Sequence, residues 1–216
     1  MKRSLVTAVL ASLALLVSAS FAGAETATWK IDPNHSEANF TVRHFFSNVV
    51  GRFNSMSGSI VLDDKDMSKS SVDAVIKTAS IFTNNDRRDG HLRSADFFNA
   101  DKDSQITFKS TKVIPGADKS MKIEGMLTMR GVTKPVVLDA KFLGSGSMAM
   151  GPNMTVTKSG FSATTTVNRQ DYGISWNKTL DQGGTMLGDD VAIVLNIEAD
   201  KVAPPGDAAA PAMPKK

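Results

Sequence analysis

The side chains most able to do chemistry are concentrated in one segment, Thr83 to Phe98, which reads TNNDRRDGHLRSADFF. Between Asp86 and Arg93 this segment holds five charged residues and a histidine. Carboxylates can act as general acids or bases when a cleft perturbs their pKa values. Here, however, they stand next to arginines, which is typical of solvated ion pairs. This prediction covers Asp86, Asp89 and Asp96.

The three histidines, His35, His44 and His91, are far apart in the sequence, so a metal site would require the fold to gather them. His44 differs from the others because alternation places it on the same face as Phe40 and Val42. A histidine on an apolar face is commonly a hydrogen-bonded structural residue, and it can also contact the polar group of a ligand.

Methionines provide a second kind of metal ligand. Met148, Met150 and Met154 lie in a glycine-rich stretch, GSGSMAMGPNM, which predicts a loop. Thioethers suit Cu(I), but no cysteine or histidine is adjacent, and methionine also lines adaptable apolar surfaces. We therefore predict no metal site. A copper or stress-response module built on this loop is kept as an alternative.

The sequence also lacks the signatures of common enzymes. It contains no G-x-S-x-G elbow, no H-E-x-x-H, no phosphate-binding P-loop and no dinucleotide fingerprint. The prediction is a protein that is not an enzyme.

A short helix is expected to position the charged segment. Asn84 or Asn85 can cap it with a side-chain oxygen, and Gly90 limits it to one or two turns. Leu92 and one of the two phenylalanines that follow should face inward. The segment would then close one end of an apolar cavity, or it would be a surface crossover whose phenylalanines fill the core.

Around this segment, apolar and polar residues alternate in short runs, which predicts about eight strands. The inward-facing residues at the centres of these runs are Phe40, Ile60, Val72, Phe108, Leu127, Leu138, Ala163 and Ile193. A sandwich and a closed barrel both fit this pattern. About eight strands is also the size at which a barrel can hold one small ligand.

The two ends of the chain differ from the domain between them. Residues 1–24 have a basic start, an apolar stretch and a small-x-small site, which predict a signal peptide cleaved after Ala24 and export to the periplasm. Residues 202–216 are rich in alanine and proline and predict a disordered tail. The net charge of +3 comes from these ends, because the domain at 25–201 holds 21 basic and 21 acidic residues. A neutral domain argues against nucleic acid as a partner.

Four separated motifs resemble the YceI-like, lipocalin-like family. They are WKIDPNHSEANFTVRH followed by GRF, then SIFTNNDRRDGHLRSADFF with ITFKST, then GMLTMRGVTKPV, and finally NRQDYGISW. The resemblance covers Trp29 to Ala199 in the same order. One departure is Asp103-Ser104-Gln105, where the family often has a proline. The methionine-rich stretch and the tail also look particular to this chain.

The resemblance implies an antiparallel lipocalin-like barrel of about eight strands with a short helical segment around residues 84–98. It further implies an apolar tunnel that holds a polyisoprenoid or similar lipid, such as a quinone tail or polyprenyl phosphate. The expected lining residues are Phe40, Val42, Ile106, Phe108, Leu127 and Phe161, with Phe97 and Phe98 closing the tunnel. The candidate head-group ligands are His44, Arg88, His91 and Arg169.

No other cofactor is expected. Family members are typically periplasmic, and some are associated with cytochrome b561-like membrane proteins. The oligomeric state, with a homodimer as one option, is left open. An enzyme acting on an isoprenoid or quinone substrate is the second alternative.

Overall fold

The computed structural model describes residues 26–152 and 154–203. The predicted signal peptide at 1–24 lies outside the described residues, as does most of the predicted tail. The backbone N–H of Val202 donates to the Thr28 carbonyl at 2.8 Å, so sheet pairing extends one residue beyond the predicted domain end.

The described chain is mainly β, and all its strands belong to one antiparallel sheet. In chain order the strands are β1 Thr26–Ile31, β2 Glu37–His44, β3 Ser47–Phe53, β4 Met56–Asp63, β5 Ser71–Lys77, β6 Ile81–Phe82, β7 Gln105–Pro115, β8 Ser120–Met129, β9 Val132–Gly151, β10 Met154–Asn168 and β11 Leu187–Lys201. One α-helix, α1, spans Asp86–Arg93. Three short 3-10 turns cover Met67–Lys69, Thr78–Ser80 and Arg169–Tyr172.

The sheet closes into a barrel of eight strands in the order β1, β4, β5, β7, β8, β9, β10 and β11, because β1 also pairs with β11. The closing register joins Trp29 to Lys201 and Ile31 to Ala199. The predicted antiparallel barrel of about eight strands is confirmed, and the sandwich alternative is wrong. The predicted strands did not include β1, β3 or the two-residue β6, although Ala27, Trp29 and Ile31 of β1 do alternate on its buried face.

The remaining strands, β2, β3 and β6, extend the barrel wall on the side of α1. Strands β1 and β2 both pair with β11, one after the other. Strand β3 is followed in the chain by β4, and β5 is followed by β6, which pairs with β3. Each of these pairs is one long strand with a local interruption. None of residues 32–36, the interruption between β1 and β2, lines the barrel cavity.

Helix α1 has the length that Gly90 predicted, and it begins at the predicted cap. The Asn85 side chain accepts a hydrogen bond from the Arg88 backbone N–H at 2.9 Å. Within the described parts of the chain, no helix combines the length and apolar character needed to cross a lipid bilayer.

The methionine-rich stretch is not a loop, which corrects the prediction. Within this stretch strands β9 and β10 pair with each other, and the pairing begins with Met154 opposite Gly151. Their paired ends run past the last residues that pair with β8 and β11 and form a two-stranded ribbon, residues 143–152 and 154–157, at the end of the barrel opposite α1. We call it the methionine ribbon. Backbone pairing compensates for the weak strand propensity of its glycines.

Candidate functional site: an apolar cavity inside the barrel

The barrel encloses a cavity of about 360 Å³, a size typical of small-molecule sites. Its wall is built from the inward-facing residues of β1 to β5 and β7 to β11, with α1, the two phenylalanines after it and the segment between β10 and β11 contributing at one end. The predicted lining residues all face it, namely Phe40, Val42, Ile106, Phe108, Leu127 and Phe161. Most of the other lining residues are also aliphatic or aromatic, so the cavity favours hydrocarbon over water.

Small residues create the space. Ala140 pairs with Ala163, Ala163 with Leu195, and Leu195 with Ala38, so three alanines form part of one row across β9, β10, β11 and β2. All four residues line the cavity. Larger side chains along this row would fill the barrel and form a conventional core.

Two glycines allow aromatic rings to lie flat against the wall. A Cβ atom added at Gly51 would lie 2.3 Å from the Phe40 ring, and one added at Gly125 would lie 2.4 Å from the Phe108 ring. Both rings line the cavity. These two glycines therefore determine the width of the cavity, and their role is not to form a backbone turn.

The titratable residues that line the described cavity lie at one end, next to α1. They are His44, Arg88, His91 and Arg169, the four head-group candidates. Short contacts to β11 and Trp176 connect three of them. His44 pairs with Leu187, Arg169 donates to the carbonyls of Gly188 and Trp176, and the His91 ring lies 5.0 Å from the Trp176 ring. The fold therefore brings together residues that are up to 125 positions apart.

The cavity meets solvent at this end. Arg88 is exposed, and His44, Val49 and Met186 are half-buried although they line the cavity. At the opposite end the lining residues Leu62, Val113 and Met121 are all less than 8% exposed. We call the opening beside α1 the mouth.

The Arg169 guanidinium uses nearly all of its donors in hydrogen bonds to other residues of the chain. Its Nε donates to Gly188 O at 2.8 Å, its Nη1 to the carbonyls of Ile174 and Trp176, and its Nη2 to the Asp189 carboxylate at 2.9 Å. Burial lowers the pKa of this guanidinium. Only one of its five N–H groups has no acceptor among the described residues, so its main role is to hold residues 174–176 against β11.

Arg88 has more capacity for a ligand. Its Nε and Nη2 donate to the hydroxyl and carbonyl oxygens of Thr83, both at 2.7 Å. Nη1 makes no hydrogen bond within the described residues, and no carboxylate there forms an ion pair with the guanidinium. Arg88 is therefore a cation at the mouth with three N–H groups available.

His91 and the phenylalanines after α1 form an aromatic cluster with Trp176. The ring centroids of His91 and Phe97 are 4.9 Å apart, and those of Phe97 and Trp176 are 5.3 Å apart. Phe98 packs edge-on against Phe53 at 5.6 Å. Leu92, Phe97 and Phe98 all line the cavity, so the helical segment faces it rather than only filling core.

The carboxylates of the charged segment do not form the predicted solvated ion pairs with arginine. Asp89 is buried and accepts from the N–H of Thr83 at 2.9 Å and from its hydroxyl. Asp96 instead contacts His91 Nε2 at 2.8 Å. Asp89 anchors the helix to the strand before it, which the local composition did not reveal.

A second group of titratable residues lies outside the barrel wall. Asp32, His35 and Glu198 present ligand atoms close enough to hold a cation. Lys158 Nζ already contacts Asp32, Glu198 and Asp200 at 2.8, 2.9 and 2.8 Å. The ammonium therefore occupies the position of a cation. Its hydrogen bond to Asp32 holds the pKa of that carboxyl well below its usual range, and the carboxylates, Asp200 first, raise the pKa of Lys158.

Sequence reasoning did not place three further residues at the mouth: Trp176, Ile174 and Met186. Trp176 entered the sequence analysis only as the last residue of the NRQDYGISW motif. Met186 lies in an irregular segment that carries no periodic pattern.

An eight-stranded lipocalin-like barrel with a helix beside its mouth defines the class of protein, and comparisons identify the family. Residues 29–199 match the model of the YceI-like domain. A UPF0312 protein of Vibrio parahaemolyticus is 39% identical over 155 residues, which are 70% of this chain and 80% of the relative. The chain therefore belongs to the YceI-like family, as its motifs predicted.

Solved structures are similar to it as well. The Campylobacter jejuni YCEI protein has a TM-score of 0.61 and 33% identity, with 73% of this chain and 88% of that chain covered. A polyisoprenoid binding domain from Saccharophagus degradans has a TM-score of 0.56 and 16% identity, with 82% of this chain and 100% of that chain covered. The second likeness is one of fold.

Proposed function

We propose that this protein binds one long-chain isoprenoid lipid in the barrel cavity and transports, stores or sequesters it in the periplasm. The observation that carries the proposal is the distribution of polarity within the cavity. The lining is apolar along the barrel, and its titratable groups lie only at the mouth. A lipid with a long hydrocarbon tail and a small polar head matches that distribution.

The polar end favours an acidic or hydrogen-bonding head group. Arg88 has three N–H groups available and no carboxylate partner among the described residues. His44 and His91 lie at the same opening. A polyprenyl phosphate or a quinone ring would meet these groups while its tail extends past Phe40 and Phe108 toward Phe161.

The Saccharophagus degradans domain, which is a polyisoprenoid binding domain, supports the choice of isoprenoid among hydrocarbon chains, because it shares the fold. The titratable lining of the described cavity contains no carboxylate and no serine–histidine or cysteine–histidine pair, which favours binding over catalysis. A cytochrome b561-like partner and a homodimer remain predictions from the family resemblance.

The test is a charge placed on the cavity wall. Leu127 lines the cavity, whereas the next residue, Thr128, hydrogen-bonds Thr133 on the outside. A desolvated guanidinium costs several kcal/mol unless it is paired. Leu127→Arg should therefore abolish copurifying lipid, measured by native mass spectrometry and lipid extraction, whereas Thr128→Arg should retain it.

Circular dichroism first establishes that both variants fold. If both then carry the same lipid, the cavity is not the binding site. If the wild type carries none and its affinity for isoprenoids does not depend on chain length, the proposed function is wrong.

A further inference from the structure

The hairpin between β2 and β3 ends in a two-residue turn, Phe45-Phe46, at the α1 end of the barrel. Phe46 is 99% exposed and Phe45 is 40% exposed. Two-residue hairpin turns favour glycine, asparagine and aspartate, and Phe45 has a positive φ of 52° that bulky residues seldom adopt. Neither turn geometry nor core packing accounts for two phenylalanines here.

Hydrogen bonds connect the turn to the neighbouring chain. The N–H of Phe45 donates to Met186 O at 2.8 Å, and Arg43 Nη1 donates to Phe45 O at 3.1 Å. The His44 ring packs edge-on against the Phe45 ring at 5.2 Å. These contacts hold Phe45 against the barrel, and the next side chain, Phe46, is almost fully exposed.

The turn also borders the mouth. His44 and Val49, one from each strand of the hairpin, line the cavity, and so does Met186, which accepts the hydrogen bond from Phe45. A surface that contacts Phe46 would therefore lie next to the opening of the cavity.

The charges around the turn indicate which kind of surface it could contact. The segment His44–Val50, HFFSNVV, contains no acidic residue. Arg43, next to it, donates to the carbonyls of Phe45 and Thr185, and no carboxylate of the described chain forms an ion pair with it. Arg88 at the mouth likewise has no carboxylate partner in the part of the chain that the structure describes. Exposed aromatic rings beside arginines are typical of proteins that bind the interface of an anionic lipid bilayer.

The area of the patch argues against a protein partner. A phenylalanine side chain can bury about 200 Å² at most, whereas a stable protein interface buries roughly 800 Å² on each side. Phe46, the exposed part of Phe45, and Val50 do not reach that area. A bilayer does not require it, because inserted rings and nearby cations act together.

We propose that the Phe45-Phe46 turn docks the mouth of the barrel onto an anionic lipid bilayer. A hydrocarbon chain can then move between bilayer and cavity without crossing water. The transfer step rests on the proposed lipid-binding function, whereas the docking itself does not.

The experiment measures flotation of the full mature chain with vesicles of phosphatidylcholine, with and without about 30% phosphatidylglycerol. The wild type should float with the anionic vesicles and lose binding at high salt. Phe46→Ser, at a nearly fully exposed position, should reduce binding about tenfold. Leu143→Ser is the matched control, because Leu143 is 59% exposed at the opposite end of the barrel. It should bind as the wild type does.

A second readout uses Phe46→Trp, whose fluorescence should shift to the blue when anionic vesicles are added. The proposal is wrong if the wild type does not float, if Phe46→Ser floats equally well, or if Leu143→Ser loses as much binding. It is also wrong if the wild type does not bind vesicles and Phe46→Ser changes the oligomeric state measured by light scattering. That result would show that the turn joins two copies of the chain.

Native mass spectrometry of Phe46→Ser separates the two proposals. Because the cavity is unchanged, this variant should still carry copurified lipid but transfer it to vesicles slowly. Lipid carriage without docking in the wild type would overturn only the docking proposal. Docking without any bound lipid would overturn only the proposed function.

Discussion

Replacing Ala163 by phenylalanine should divide the cavity. Ala163 lies in the row of small residues with Ala140 and Ala38, about midway along the barrel. Toward the closed end the next residue of β10 on the inner face is Phe161, two positions or about 7 Å away. A phenyl ring at position 163 would occupy the space that the alanine row leaves and would separate the closed end from the mouth.

The expected loss of affinity follows from the length of hydrocarbon that the ring excludes from the cavity. Burial of hydrocarbon contributes about 0.8 kcal/mol per CH₂, or about 3 kcal/mol per five-carbon isoprene unit after modest ordering losses. Because 1.4 kcal/mol corresponds to a factor of ten, each unit that no longer fits should weaken binding about a hundredfold.

The assay is a series of dissociation constants for isoprenoids of increasing length with one head group. For the wild type, affinity should rise with each unit and level off where the cavity ends. For Ala163→Phe, affinity for the shortest members should be unchanged, and the plateau should come at a shorter chain. Thr164→Phe is the control, because Thr164 is the next residue of β10 and is exposed on the outer face.

Both variants must first show wild-type circular dichroism and cooperative melting. The reasoning is refuted if Ala163→Phe and the wild type reach their plateaus at the same chain length. It is also refuted if the variant loses short and long chains equally, since the chain would then not run past this row.

Three further predictions concern other parts of the molecule. Lys158→Met should reduce the free energy of unfolding by about 1–2 kcal/mol at neutral pH, because it leaves neighbouring carboxylates unpaired. Asp32, whose folded pKa is depressed, contributes stability above about pH 4 and loses it as pH falls, so the deficit of the variant in thermal melts should shrink below about pH 4. Changing the three methionines of the methionine ribbon to leucine should leave Cu(I) titrations unaltered, and stoichiometric copper binding that this change abolishes would contradict the lipid proposal. The exported protein should begin at Glu25, and an intact mass that retains residues 1–24 would contradict the predicted cleavage.

Local patterns in the sequence determined the inner surface of the barrel. Because side chains alternate across a strand, a period-two run such as the one around Phe40 or Leu127 identifies the inward face without knowledge of the partner strand. Helix α1 was equally local, since an asparagine cap and one glycine specify where so short a helix begins and how far it extends. The motifs also identified the family, and every residue predicted as a ligand contact lines the cavity.

Other features required the tertiary structure, since they depend on pairing between distant residues. Closure of the barrel joins Trp29 to Lys201, and alternation alone cannot distinguish this pairing from a sandwich. The mouth is likewise assembled from His44, Arg88 and Trp176, which no spacing rule connects.

Burial and partner choice were also decided by the fold rather than by local composition. Asp89 looked like a solvated carboxylate among arginines, yet the fold buries it against Thr83. Lys158 and Asp32 form an ion pair across 126 positions. By itself the sequence determined which residues face inward. Only the folded chain decided that small residues meet in one row and leave a cavity, because the volume inside a barrel depends on side chains from all of its strands at once.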